Sequence, residues 1–131
     1  MKSVIVHHYG ATPDFGNRPD PVPEAGERLV HVEAAAITQL VKAQVAGRHY
    51  SMNAASHPPP FTPGADGVGR TEDGALVYFA FPRFPFGSMA ERAVVRDDLC
   101  VALPPEVDPA RAAALANPAM SSWVALTRRA G

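Results

Sequence analysis

The sequence predicts a mainly β domain: short antiparallel strands in a small barrel or sandwich, with helices at its edge. Three observations carry this. Fourteen prolines and ten glycines punctuate 131 residues, and proline, with its fixed φ and missing amide donor, favours turns and strand ends over long helices. Between these breakers lie short runs in which apolar and polar side chains alternate with the period of a half-buried strand. Glu72-Asp73-Gly74 has the composition of a tight hairpin turn, because glycine supplies the φ > 0 position. The length suits one domain, and no internal repeat or linker divides it.

Lys2–His8 is the first expected strand, with Val4 and Val6 on one face and Ile5 and His7 on the other. Pro13, Pro19, Pro21, Pro23 and Gly26 then mark an irregular surface connection. Arg28–Ala35 is the second strand, where Val30, Val32 and Ala34 alternate with His31, Glu33 and Ala35. A helix follows, with Thr38 as cap, Leu40, Val41, Ala43, Gln44 and Val45 at helical spacing, and Gly47 as the stop. Arg48–Pro60 has no periodicity and reads as a surface loop. Asp66–Thr71 and Leu76–Phe81 are the arms of the hairpin, Met89–Arg96 resumes the strand pattern, and Leu99–Leu103 is a last short strand. Asp108-Pro109 opens a helix, since Asp accepts a free amide and Pro at the first position gives up a donor that would be unpaired anyway. Pro118 is expected to break it, leaving Met120–Ala130 as a second amphipathic helix that ends in Arg128 and Arg129, where positive charge suits the dipole. Two terminal helices with no sheet to cover suggest an approach to something further.

Composition excludes several classes. One cysteine, Cys100, rules out a disulfide framework and a multi-cysteine zinc site. Twelve basic against thirteen acidic side chains argue against a nucleic-acid module, which needs clustered positive charge. The first residues turn polar too soon for a signal peptide. No apolar run nears the roughly 20 residues that cross a bilayer, so neither membrane nor nucleic acid is an expected partner and the expected location is cytoplasmic. The five histidines have no metal-ligand spacing. Cys100 reads as a small hydrophobe with no base beside it.

Four motifs in order carry a resemblance along nearly the whole chain: Val32-Glu33-Ala34-Ala35-Ala36-Ile37; Pro63-Gly64-Ala65-Asp66-Gly67-Val68-Gly69; Gly87-Ser88-Met89-Ala90-Glu91-Arg92; and Ala112-Ala113-Ala114-Leu115 with Ser121-Ser122-Trp123-Val124-Ala125-Leu126. Together they resemble the N-terminal catalytic domain of the medium-chain dehydrogenase/reductase superfamily, and within it the zinc-independent quinone oxidoreductases. The resemblance implies a GroES-like barrel over residues 1–131. It also implies a following Rossmann domain that is absent from this chain and would hold most of the cofactor, NADPH. The positions that carry catalytic zinc ligands in zinc-dependent relatives align with Thr38, Ala65 and Asn117, which do not form a zinc ligand set, so no zinc is expected. Without a Lewis acid, a substrate that delocalises the arriving charge is favoured. The implied activity is reduction of quinones or α,β-unsaturated carbonyls, with this chain as half of the enzyme and inactive alone. Gly64–Gly69 has its glycines in the order G-x-x-G-x-G and precedes a hairpin, so it reads as close packing and not as a phosphate loop.

The resemblance also nominates residues. Tyr50 follows Gly47-Arg48-His49 and would donate a proton or hydrogen bond to the substrate oxygen; the other reading is a surface-loop tyrosine. Thr38 and Ser121 align with residues near the nicotinamide, and each is equally read as a helix cap. Phe81, Phe84 and Phe86 are either loop packing or the wall of a pocket for a flat, apolar substrate, and Phe79 is core. Lys42 either reaches an anionic group or lies on a solvated helix face, and Trp123 is read as packing. The chain departs from the family where the usual Asn-Pro-x-Asp is Thr38-Gln39-Leu40-Val41 and where an Arg is Val45. A competing class is a stand-alone GroES-like binding or assembly module, with the last helix as a homodimer contact.

Overall fold

Side-chain alternation decides the sheet. The computed structural model describes residues 1–130, and its strands are β1 (Lys2–Ile5), β2 (Asp14–Asn17), β3 (Glu27–Ala34), β4 (Asp66–Thr71), β5 (Leu76–Ala80), β6 (Arg92–Arg96) and β7 (Cys100–Ala102). Five of them form one antiparallel sheet in the order β6-β3-β4-β5-β7, and β1 pairs with β2. The two sheets are sewn together. Val4 N–H donates to the Met89 carbonyl at 2.9 Å, Glu91 N–H donates to that of Lys2 at 3.0 Å, and Val6 forms a bridge with Phe61. The Met89–Glu91 segment runs directly into β6, so β1 continues the curl of the main sheet.

Period two separates two cores. On one face Val77 and Phe79 of β5 pack with Val30, Ala93 and Val95, and Cys100 lies against them. On the other, Leu76 of β5 packs with Val68 and Ala113, with Tyr78 alongside. The second face is covered by helix α2 (Pro109–Val124), whose Asp108 cap accepts the Arg111 amide at 2.7 Å. β4 lies at the centre and is buried on both faces, which is why it carries Gly67 and Gly69. A Cβ at Gly69 would stand 2.2 Å from the His31 carbonyl oxygen, and one at Gly67 would stand 2.9 Å from Phe79 Cζ. These glycines let neighbouring chains approach, as the close-packing reading expects.

Helix α1 (Gln39–Val45) begins at Thr38, whose Oγ1 accepts the Val41 amide at 3.3 Å. Gly47 follows at φ +66 with its N–H on the Gln44 carbonyl, a left-handed stop.

Four expectations are corrected. β1 ends at Ile5, and the proline-rich connection contains β2, which pairs with β1 but is short and mostly exposed and so leaves no apolar period. Met89–Arg96 and Leu99–Leu103 shorten to β6 and β7, with a single 3₁₀ turn at Asp97–Leu99 between them. Pro118 does not break the helix: α2 runs through it to Val124 and closes in a π turn at Ala125–Arg129, where Ala130 N–H donates to the Ala125 carbonyl. Alanines on both sides, the strongest helix formers, carry the helix across the missing donor. Trp123 is not packed. It is 67% exposed, and every described residue from Pro118 onward is exposed. Among the described residues no helix is long and apolar enough to cross a membrane.

Candidate functional site

A cleft of about 450 Å³ opens at one rim of the sheet, walled by connections and by α1. Leu40 and Gln44 enter from α1, while His49, Tyr50, Ser51 and His57 come from the Arg48–Pro60 loop. Phe61–Ala65 and Phe81–Gly87 close the other sides, apart from Arg83. The last two segments are stitched together: Thr62 N–H donates to the Pro85 carbonyl at 2.9 Å, and Gly87 N–H donates to that of Thr62 at 3.0 Å. Gly87 has no room for a side chain there, since a Cβ would stand 2.3 Å from the Thr62 carbonyl oxygen.

The wall is aromatic. Phe61 and Phe84 lie 5.9 Å apart between centroids, Tyr9 backs Phe61 at 5.6 Å, and His57 meets Phe84 edge-on at 4.8 Å and 89°. Such tilted and edge-to-face contacts suit rings with a negative face and positive edge. Tyr9 anchors the loop by donating its hydroxyl to the His57 carbonyl at 2.7 Å, and burial pushes its pKa up. Behind Phe86 the Arg18 guanidinium carbon sits 5.9 Å from the ring centroid. Burial lowers the Arg18 pKa, and its Nε and Nη1 have no hydrogen-bond partner among the described residues.

Phe81 leaves β5 at φ +52, and its N–H donates to the Ala65 carbonyl at 2.7 Å. The left-handed backbone turns its ring outward to the cleft mouth, 67% exposed. A bulky side chain in this region is strained by about 1–2 kcal/mol.

The cleft thus brings together Tyr50, Phe81, Phe84 and Phe86, which the sequence spreads over two separate connections. Tyr50 stands at the rim, 92% exposed. Thr38 and Ser121 are not part of this wall. Thr38 caps α1, so its hydroxyl oxygen is engaged and its proton remains to donate. Ser121 lies inside α2 and caps nothing, which corrects the cap reading, and its side chain faces solvent. Phe79 is fully buried in the core, as expected, and Lys42 is exposed on α1.

Sequence reasoning misses three residues near the site. His49 and His57 stand out in the sequence only as metal ligands without spacing, though both line the cleft. Asp66 is a buried carboxylate that accepts the Tyr78 hydroxyl at 2.9 Å and the Asn117 amide at 3.5 Å, tying β4, β5 and α2 together. Burial, then the hydrogen bond to Asp66, raises the Tyr78 pKa. Asp66 follows Ala65 in sequence, so two of the three positions aligned with zinc ligands adjoin this cluster. Among the described residues, no group of three or more His, Cys, Asp or Glu side chains is placed to hold a metal ion.

Thr38 and Asp108 each accept one amide at the start of their helix.

No family model matches the chain. A curated protein of Emericella nidulans, the "Probable NADPH-dependent quinone reductase", is 30% identical over 146 aligned positions, covering 89% of this chain and 40% of the relative. The quinone oxidoreductase of Thermus thermophilus, whose structures include a complex with NADPH, superposes with a TM-score of 0.85 at 28% identity. The match covers 98% of this chain and 41% of that one. A mycobacterial protein solved with NADPH gives 0.80 at 22% identity, over 98% and 42% of the two chains. The Pseudomonas syringae quinone oxidoreductase gives 0.77 at 19%, over 98% and 41%. The last two speak for the fold alone. The chain spans about 40% of the length of the curated relative it matches, and it has the mainly β barrel-like fold that the resemblance implies.

Proposed function

From the likeness of this chain to part of the quinone oxidoreductases of the medium-chain dehydrogenase/reductase family, we propose that it is the catalytic portion of an NADPH-dependent oxidoreductase acting on quinones or α,β-unsaturated carbonyls. The aromatic cleft carries the reading: Phe81, Phe84 and Phe86 converge on one opening with Tyr50 at its rim. A flat conjugated ring matches that wall in shape and polarity. The substrate spreads negative charge over its own π-system, so hydrogen-bond donors at the rim suffice to stabilise it.

NADPH, when bound, supplies the hydride. Thr38 would donate its remaining hydroxyl proton near the nicotinamide end, and Ser121 would do so from α2. The phosphates would be held by a Rossmann domain, as the resemblance implies. Tyr50 would give a hydrogen bond or proton to the substrate oxygen once the substrate covers it. The reaction is read as zinc-independent because Thr38, Ala65 and Asn117 offer a hydroxyl, a methyl group and an amide where a metal would need Cys or His.

The test is NADPH titration, followed by nicotinamide fluorescence, on the 131-residue chain and on a form extended by a dinucleotide-binding domain. Tight binding and quinone turnover are expected only from the extended form. Equal tight binding by both would overturn the division of labour. The exposed apolar face of α2 (Leu115, Trp123 and Leu126) favours the second reading, a binding or assembly module that pairs through this helix. Quinone turnover by the extended form would eliminate it.

A further inference from the structure

We infer that His49 is a second hydrogen-bond donor, beside Tyr50, that this cleft offers to a carbonyl oxygen of its substrate, an inference that rests on the cleft being the substrate site proposed above. The phenylalanine wall can hold the faces of a ring but contributes no donor. A carbonyl oxygen that leaves water for such a wall needs a new partner, or the complex loses the cost of the missing hydrogen bond.

The side-chain donors near the opening are few, and Gln44, which enters from α1 with an amide N–H₂, is the one that competes with a histidine and is separated from it by the test below. The Thr62 hydroxyl oxygen is sealed from solvent, so a ligand in the cleft does not reach it. Tyr50, proposed above for the substrate oxygen, stands at the exposed rim and leaves the second carbonyl of a quinone to another donor. The Ser51 hydroxyl is spent on His49 Nδ1 at 2.7 Å. The His57 ring packs edge-on against Phe84, and its Nδ1 faces the Ser56 hydroxyl at 2.9 Å. A hydroxyl serves as donor or acceptor, so that contact does not fix a tautomer.

His49 differs. Its Nδ1 also receives the backbone N–H of Ser51, at 3.3 Å. A backbone amide can only donate, so Nδ1 carries no proton, and the proton of the neutral ring sits on Nε2. That Nε2–H has no acceptor among the described residues. The ring is half-buried, lines the cleft, and is backed by Tyr50 at 4.4 Å. Ser51 therefore selects the tautomer, and Tyr50 stacks on the imidazole that presents the donor.

The test uses the full 131-residue chain and 2,3-dimethyl-1,4-naphthoquinone, whose substituted ring carbons resist attack by Cys100. Its carbonyl-free counterpart, 2,3-dimethylnaphthalene, is the control. Imidazole ¹⁵N–¹H correlation spectra should put the proton of free His49 on Nε2. Titration with the quinone should move that signal, and titration with the hydrocarbon should not. His49→Phe should weaken quinone binding about fivefold to tenfold, consistent with one net hydrogen bond, and leave the hydrocarbon unaffected. His49→Gln, which keeps a donor, should stay within about twofold of wild type. If the ring signals of Phe84 and Phe86 respond to the quinone while His49 is silent, or if His57→Phe or Gln44→Leu carries the loss instead, the donor assignment is overturned and the substrate site stands. If neither compound perturbs Phe81, Phe84 or Phe86, the substrate-site reading fails and takes this inference with it.

Discussion

Phe81 links stability and recognition at the residue scale. Its φ of +52 is a conformation that glycine adopts freely and phenylalanine does not. Phe81→Gly is expected to be more stable than Phe81→Ala by about 1 kcal/mol, since only glycine relieves the backbone. Both variants should bind a naphthoquinone more weakly than wild type. Urea denaturation and a binding titration check the two halves, and equal stability of the variants would remove the strain argument. Cys100 makes a second case. Burial against Val77 and Phe79, with Asp97 and Asp98 adding to it against the opposing pull of Arg28, raises its thiol pKa. At neutral pH its reaction with an aromatic disulfide reagent should be much slower than that of free cysteine and should speed up on unfolding. The aromatic residues of the cleft are legible in the sequence as residue types. Their convergence is not, because it depends on the pairing of Thr62 with Pro85 and Gly87, far apart along the chain.

Among the elements, β4 is the least tolerant of change. Gly69→Ala would drive a methyl group into the His31 carbonyl. It should cost about 1–3 kcal/mol or more as β3 and β4 separate, read as a lowered urea midpoint. An unchanged midpoint would mean that the strands slide apart freely. Alternation finds β3, and the Glu72-Asp73-Gly74 turn finds the hairpin arms β4 and β5, each to within a residue at either end. β2 escapes it: Asp14–Asn17 is short, mostly exposed and held by backbone pairing to β1, so no apolar period betrays it. Pro118 misleads in the opposite direction. A local rule about one residue is outweighed by the alanines around it. The cap residues, Thr38 and Asp108, can be read directly because capping is itself a local interaction.

For the molecule as a whole, the Tyr78–Asp66–Asn117 cluster ties the sheet to α2, and ionisation of Tyr78 is expected to weaken the fold at alkaline pH. The folded state holds the Tyr78 proton more tightly than the unfolded chain does. The stabilisation is therefore complete below the ordinary tyrosine pKa of about 10 and drains away as pH rises above it. Tyr78→Phe should flatten the decline of the urea midpoint above about pH 10, while Tyr9, also raised by burial, continues to contribute in both proteins. An unaltered slope would show that the cluster does not couple ionisation to folding. Beyond the cluster, Trp123 reports on the free end of α2. As the chain's one tryptophan, it should emit like indole in water and be quenched readily by acrylamide at low concentration. Shielding that grows with concentration would mean that copies of the chain associate through this helix.

The strands and the cleft divide most of the work between them, the exceptions being Phe61 and Met89–Glu91, which also hold β1 to the main sheet. Nearly all of the opening is made by segments that join regular elements, chiefly the stretch between α1 and β4 and the one between β5 and β6. Transplanting those two stretches from a relative, with Phe61 and Met89–Glu91 kept, should carry over its choice of substrate while the recipient keeps its own melting behaviour, much as a lock keeps its casing when the tumblers are replaced.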